Sequence, residues 1–219
     1  MSVVAALLRK ELRIELRTLE SVPGMALFSV TTFIVFHFGL NRGTVDGDLA
    51  AGILVVTLLF AAMLGINRLW VADEEQGGFD ALLLAPIDRT TLFVAKAIAF
   101  TVYLVALEIV AVPAFTILLL GPPLRLAIIP VLVLADLGIA AVGTLVGALA
   151  VRTRARDLIG PLVALPLLVP VVIATARALT PLVSAQSTGV GARYLLILGL
   201  YDLVFGLLAY AVFDPLLED

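Results

Sequence analysis

The chain has 219 residues, 62% of them hydrophobic and 14% charged, with a mean hydropathy of +1.17. Soluble domains are about 45–50% apolar and about 25% charged, so this composition is that of an integral membrane protein. A net charge of -3 argues against a nucleic-acid surface, and no Cys with a single His excludes disulfides, thiol redox chemistry and thiolate or multi-histidine metal sites.

In chain order, the opening is charged and amphipathic. It lacks the short apolar region and small-residue cleavage site of a signal peptide, so no cleavable leader is expected. Residues 5–20, A-A-L-L-R-K-E-L-R-I-E-L-R-T-L-E, place Leu8, Leu12, Leu16 and Leu19 on one helical face, with Arg9, Lys10, Arg13 and Arg17 over the rest. A basic amphipathic helix over 1–21, lying along the membrane lipid surface, is expected.

Six apolar stretches follow, at about 23–40, 49–71, 92–120, 124–151, 158–179 and 194–213. Each is near the ~20 residues that cross hydrocarbon. The third and fourth are long enough to tilt or to bend at Pro113 and Pro130. The fifth carries Pro161, Pro166 and Pro170, which predicts a kinked or broken helix whose freed carbonyls need internal partners. In the fourth, Gly143-x-x-x-Gly147 is a close-packing face for use within the bundle or in a dimer.

Lys and Arg placement sets the orientation. Arg9, Lys10, Arg13, Arg17, Arg68, Arg89, Lys96, Arg152, Arg154 and Arg156 fall on one side, against Arg42, Arg125, Arg177 and Arg193 on the other. The first side is expected to be cytoplasmic and to carry both termini.

Residues 70–96, W-V-A-D-E-E-Q-G-G-F-D-A-L-L-L-A-P-I-D-R-T-T-L-F-V-A-K, are the longest polar interruption between spans. Three acids (Asp73, Glu74, Glu75) precede the pair Gly77-Gly78, and an apolar run from Phe79 through Leu82 and Leu83 stops at Pro86. Paired glycines end a helix cheaply, and proline restricts the residue before it. The run is too short to span a bilayer and too apolar for a hydrated loop. Two readings are open for it: a segment in the headgroup layer, or a short helix docked on a soluble partner.

Ionisable residues inside spans default to functional hypotheses. Glu108 and Asp136 are the deepest. They read either as a relay in a proton- or cation-coupled carrier, or as groups that are protonated, bonded to neighbouring helices or lining a small wet cavity. Lys96 and Arg177 lie near span ends, where they can snorkel. His37, in F-H-F-G-L, is a candidate axial heme ligand or an interfacial side chain. Trp70 reads as an interface anchor, and Asp202 has no evident role. There is no G-x-x-x-x-G-K-[ST] phosphate cradle and no nucleophile–base arrangement, so no catalytic residue is assigned.

The order acidic cluster, glycine pair, apolar run, proline, then a lysine opening the third span resembles the cytoplasmic loop of ABC-2-type export permeases. The loop more closely resembles that of the CcmB family, heme-export permease subunits of the cytochrome c maturation system, with its F-x-x-D-x-x-D-G-S-L-E-Q-L pattern followed by proline and A-K. Asp73, Gly77 and Leu82 fall in register, Trp70, Phe79 and Asp80 are like-for-like replacements, and Gln76 and Gly78 depart from the pattern. The basic loop R-T-R-A-R, the proline-rich fifth span (L-P-L-L-V-P) and the opening R-K-E-L-R-I-E-L-R also resemble this family.

The resemblance implies an all-α permease of the inner membrane: one domain over 1–219, an interfacial helix plus six transmembrane helices. It implies a coupling loop at 72–91 in which Asp73, Glu74, Glu75, Gly77, Phe79, Asp80, Leu82, Leu83 and Pro86 meet a separate ABC ATPase subunit that uses ATP. The other partners it implies are a heme-handling membrane subunit, a small single-span subunit and a periplasmic heme chaperone. Heme is then a handled ligand rather than a resident cofactor. The rival readings are an ABC-2 permease for lipid, glycan or drug, a proton-coupled secondary carrier using Glu108 and Asp136, and a purely structural assembly subunit.

Overall fold

A computed structural model describes residues 3–40, 43–75, 88–151, 156–184 and 191–216. Seven α-helices are present among them: α1 (Val3–Thr18), α2 (Ser21–Gly39), α3 (Gly47–Glu75), α4 (Arg89–Leu118), α5 (Ile128–Val151), α6 (Arg156–Leu179) and α7 (Ala192–Leu216), with a 3-10 turn at Thr180–Leu182. Helices α2 to α7 supply six segments long and apolar enough to cross a membrane. In hydrocarbon a helix satisfies its own backbone hydrogen bonds, which is why long apolar runs settle into this one architecture. The chain is an all-α, multi-pass membrane protein.

Helix α5 is the hub, packed against α3, α4, α6 and α7, while α2 lies against α3 and α4, and α1 against α4. Small residues let the helices close in. A Cβ on Gly143 of α5 would fall 2.6 Å from Ile66 Cδ1 of α3, and one on Gly65 of α3 would fall 2.6 Å from Met25 Sδ of α2. Gly143 is therefore used inside the bundle, one of the two uses its spacing allowed. Large apolar side chains such as Phe38, Ile117 and Leu162 stay exposed around the outside, as a surface solvated by lipid requires.

Pro113 lies inside α4 and Pro161, Pro166 and Pro170 inside α6 without ending either helix. The proline-rich span is thus one continuous helix and not a broken one. Tyr201 donates from its hydroxyl to Leu167 O at 2.7 Å, one residue from the Pro166 carbonyl that Pro170 leaves without an N–H partner.

The two ends of the bundle are closed differently. At the end away from α1, Val45 N donates to Leu119 O (2.8 Å), Gly121 N to Val45 O (3.1 Å) and Gly47 N to Val183 O (3.2 Å), knitting three inter-helix connections together. Gly47 takes φ +57 there, a left-handed conformation that glycine adopts without a Cβ penalty. Asp48 at the same end faces Arg177 Nη1 at 3.6 Å, and that arginine is exposed as expected.

At the α1 end, the turn between α1 and α2 carries Leu19 at φ 51, a conformation that costs a non-glycine residue about 1–2 kcal/mol. Glu15 offsets it. Its Oε1 accepts from Ser21 N (3.0 Å) and Val22 N (2.8 Å), the first amides of α2. A carboxylate there satisfies orphan N–H groups and faces the positive end of the helix dipole.

Helix α1 has an inward face that the amphipathic pattern did not mark. Its buried positions are Leu7, Glu11 and Glu15, whereas Leu16 and Leu19 are exposed. Leu12 is half-buried against the core and Leu16 is exposed, so the leucines run from the protein flank out toward lipid, while Leu7, Glu11 and Glu15, at i, i+4 and i+8, face the protein.

Candidate functional site

The ends of α3 and α4 nearest α1 flank the polar segment for which the family resemblance implies a coupling loop. Helix α3 is 29 residues long, about 43 Å at 1.5 Å per residue, and so overruns a hydrocarbon core of about 30 Å. Asp73, Glu74 and Glu75 form its last turn, so the acidic cluster continues the second span as helix. Gly77, Phe79, Asp80, Leu82, Leu83 and Pro86 lie outside the described residues. Past them Asp88 caps α4, its side chain accepting from Thr90 N at 3.1 Å, the usual way a short acid satisfies a first-turn amide.

Lys96 sits at the root of this segment. It is not a snorkelling side chain: it is fully buried. Its Nζ donates to Leu69 O of α3 at 2.8 Å and lies 3.3 Å from Glu11 Oε1 of α1. Lys10 Nζ approaches the same carboxylate oxygen at 3.3 Å, and the Tyr103 hydroxyl donates to Glu11 O at 3.1 Å. One ammonium thus joins three helices, and the residues it joins from α3 and α4, Leu69 and Lys96, stand immediately before and after the loop. Lysine reaches inward here because Glu11 supplies a buried counter-charge; unpaired, a buried ion costs several kcal/mol.

Midway along the bundle, Glu108 of α4, Asp136 of α5 and Thr175 of α6 line one cavity of about 20 Å³, otherwise walled by aliphatic side chains of α3, α5 and α6. That is about the volume of a single water site and far below the size of a heme. The two carboxyls that the sequence singled out are thus brought together. Asp202 of α7 meets α5 at Gly138, where a Cβ would lie 2.7 Å from its Oδ1 and 3.3 Å from Val171 Cγ2, a side chain of the cavity wall.

His37 is near the opposite end of α2. Its Nδ1 is 2.6 Å from Leu118 O, which makes Nδ1–H the donor and leaves Nε2 as the nitrogen with a lone pair. Its ring meets Phe38 edge to face at 5.1 Å. Among the described residues no cluster of three or more His, Asp or Glu could hold a metal ion.

Sequence reading passed over Glu11 and Glu15. The signal was present: two acids four residues apart on one helix face, ahead of a lysine placed inside an apolar span that needs a partner. Nothing local distinguished those acids from a solvated helix face.

With this geometry in place, comparison with known proteins is informative. The model of the CcmB protein family matches residues 2–216, nearly the whole chain. Heme exporter protein B of Rhodobacter capsulatus is 33% identical over 171 residues, 77% of this chain and 78% of its own length. The Bradyrhizobium diazoefficiens heme exporter protein B is 28% identical over 214 residues, covering 96% of each chain. That of Paracoccus denitrificans is 31% identical over 177 residues, 79% of this chain and 80% of its own. Taken with the six-span helical bundle, these matches over nearly its full length show that the chain belongs to the CcmB protein family.

Proposed function

We propose that this chain is the permease subunit of an ABC-type heme-export complex of cytochrome c maturation, driven by a separate ATPase. Family membership carries the assignment to heme export, because the relatives that match most of the chain are named heme exporter protein B. They give no support to a lipid, glycan or drug permease, or to a secondary carrier. The chain is a transport subunit; hydrolysis belongs to the partner. In this reading the loop end of the bundle is cytoplasmic, both termini are on that side, and the membrane is the bacterial inner membrane.

Residues 72–91 dock on the ATPase, with Phe79, Leu82 and Leu83 filling an apolar groove. Asp73, Glu74, Glu75 and Asp80 provide rim charge that guides encounter more than it sets affinity, and Gly77 and Pro86 bound the docking segment in sequence. Movement of the loop reaches the bundle where Lys96 ties Leu69 and Glu11 together. Because α1 is joined to that same ammonium, the interfacial helix moves with the ends of α3 and α4. ATP-driven closure of the partner thereby tilts two spans and the surface helix together.

The water-sized central cavity leaves heme no berth within α3–α6 in this conformation. Heme is handled at the surface shared with a heme-handling membrane subunit, a small single-span subunit and a periplasmic chaperone. His37 is the contact at the periplasmic end, because its Nδ1–H is already committed to Leu118 O and Nε2 is the free nitrogen, the arrangement that orients metal-binding imidazoles.

The test is reconstitution of the chain with its ATPase and the heme-handling subunits, followed by measurement of ATP-dependent release of heme-loaded chaperone. Release should require this chain. ATP-dependent export of a lipid or glycan with no effect on the chaperone would overturn the assignment.

A further inference from the structure

The proposed coupling role does not use the cavity between Glu108, Asp136 and Thr175. Its polar wall is unusual for a site in the middle of a bundle. Asp136 and Thr175 are 4% and 3% exposed, they line the cavity with Glu108, and Asp136 Oδ2 and Thr175 Oγ1 have no hydrogen-bond partner among the described residues. Buried polar atoms in native proteins are otherwise nearly always satisfied, so such a pair facing one space indicates a missing partner.

Charge says what kind of partner. Two carboxyls share a water-sized space in the middle of the bundle, and among the described residues no Lys or Arg lines it. Lys96 is twelve residues earlier on α4, about 18 Å along the helix, and is committed to Glu11 and Leu69. Arg177 is largely exposed and faces Asp48. Asp202 is not among the described lining side chains, though the Gly138 position it meets also borders Val171 of the cavity wall, and the wall from α3 is aliphatic, including Val55 and Leu59. A bare pair of anions in this setting costs far more than the surrounding packing supplies. Oxygen-only donors in a cavity of about 20 Å³ suit a small hard cation and exclude a large or soft one.

We propose that Glu108, Asp136 and Thr175 form an intramembrane binding site for one small monovalent cation, either a sodium-sized ion or a proton shared between the carboxyls. The site is built by α4, α5 and α6 with α3 closing one wall. Its occupancy holds those four helices in the observed packing, and displacement of α3 and α4 at their loop ends strains it. The proposal concerns the bundle itself and stands or falls independently of the substrate exported.

The experiment uses the full-length chain purified in lipid nanodiscs. Thermal unfolding is followed in sodium, potassium and choline chloride at equal ionic strength, and infrared spectra are recorded in the carboxyl region. The wild type is compared with Glu108→Gln, Asp136→Asn and Thr175→Val. A rise of several degrees in Tm specific to sodium, lost in Asp136→Asn and reduced in Thr175→Val, identifies the metal ion. No sodium effect, together with a neutral carboxylic acid band that Asp136→Asn or Glu108→Gln removes, identifies the proton. No sodium effect and no such band overturns the proposal. Should Asp136→Asn fail to fold, Glu108→Gln carries both readouts alone.

Discussion

Lys96 Nζ lies 3.3 Å from Glu11 Oε1, joining the third span to a surface helix 85 positions earlier in the chain. Side-chain exposures of 1% and 9% put this pair among buried ion pairs, where breaking one partner costs about 3–5 kcal/mol while replacing both with apolar groups is often neutral. Lys96→Met should therefore sharply lower the thermal stability of the purified protein. The double variant Lys96→Met/Glu11→Leu should recover most of it. A double variant as unstable as the single one would show that Lys96 matters through its bond to Leu69 O and not through Glu11.

The same pair separates folding from transmission. In a reconstituted complex the double variant should bind ATPase normally yet couple hydrolysis to release poorly, because α1 is no longer tied to the ends of α3 and α4. Wild-type coupling in that variant would reduce the junction to a purely structural role.

Glu15 is a charged cap seven residues upstream of the amide it meets most closely, Val22 N at 2.8 Å. Loss of a cap costs about 0.5–2 kcal/mol, and Glu15→Ala should fall toward the upper end because Leu19 holds a left-handed backbone in the same turn. Hydrogen exchange at the start of α2 is the direct readout. Faster exchange confined to Ser21 through Gly24 is expected, and unchanged exchange would show that the cap is dispensable.

Gly143 has no room for a side chain, with Ile66 Cδ1 2.6 Å from where a Cβ would be. Overpacking of this kind costs about 1–3 kcal/mol. Gly143→Ala should lower Tm, and Ile66→Ala in the same chain, which also removes the Cγ1 that would lie 2.7 Å from the new Cβ, should restore part of the loss. Absence of any rescue would place the strain elsewhere.

His37 is expected to contribute a ligand to heme through Nε2. Added heme should give the assembled complex a Soret shift that His37→Gln diminishes. An identical spectrum in the variant would leave His37 as a hydrogen-bonded ring fastening α2 to Leu118.

Much of this was legible in the sequence because the bilayer imposes coarse rules. Six runs of sufficient apolar length mapped onto α2 to α7, and Glu108 and Asp136 stood out because ionisable groups are rare at that depth. Their meeting at one cavity was not legible, since it depends on the rotation of α4 against α5. The three prolines of α6 suggested a kink or a break; the helix continues through them, because neighbouring groups in a bundle can satisfy the carbonyls that proline frees. Lys96 was misread for a related reason: snorkelling is the default for a lysine near a span end, and the counter-charge that overrides it lies in a different helix. The inward face of α1 followed from that same distant partner.

The most direct test of the coupling reading is affinity purification of tagged wild-type chain and Phe79→Ala from detergent-solubilised membranes, with the co-purifying proteins identified by mass spectrometry. The wild type should bring down an ABC ATPase together with heme-handling subunits, and Phe79→Ala should lose the ATPase while keeping the membrane subunits. Equal recovery of the ATPase by both chains, or none by either, would contradict the assignment of residues 72–91 as the contact through which the permease is driven.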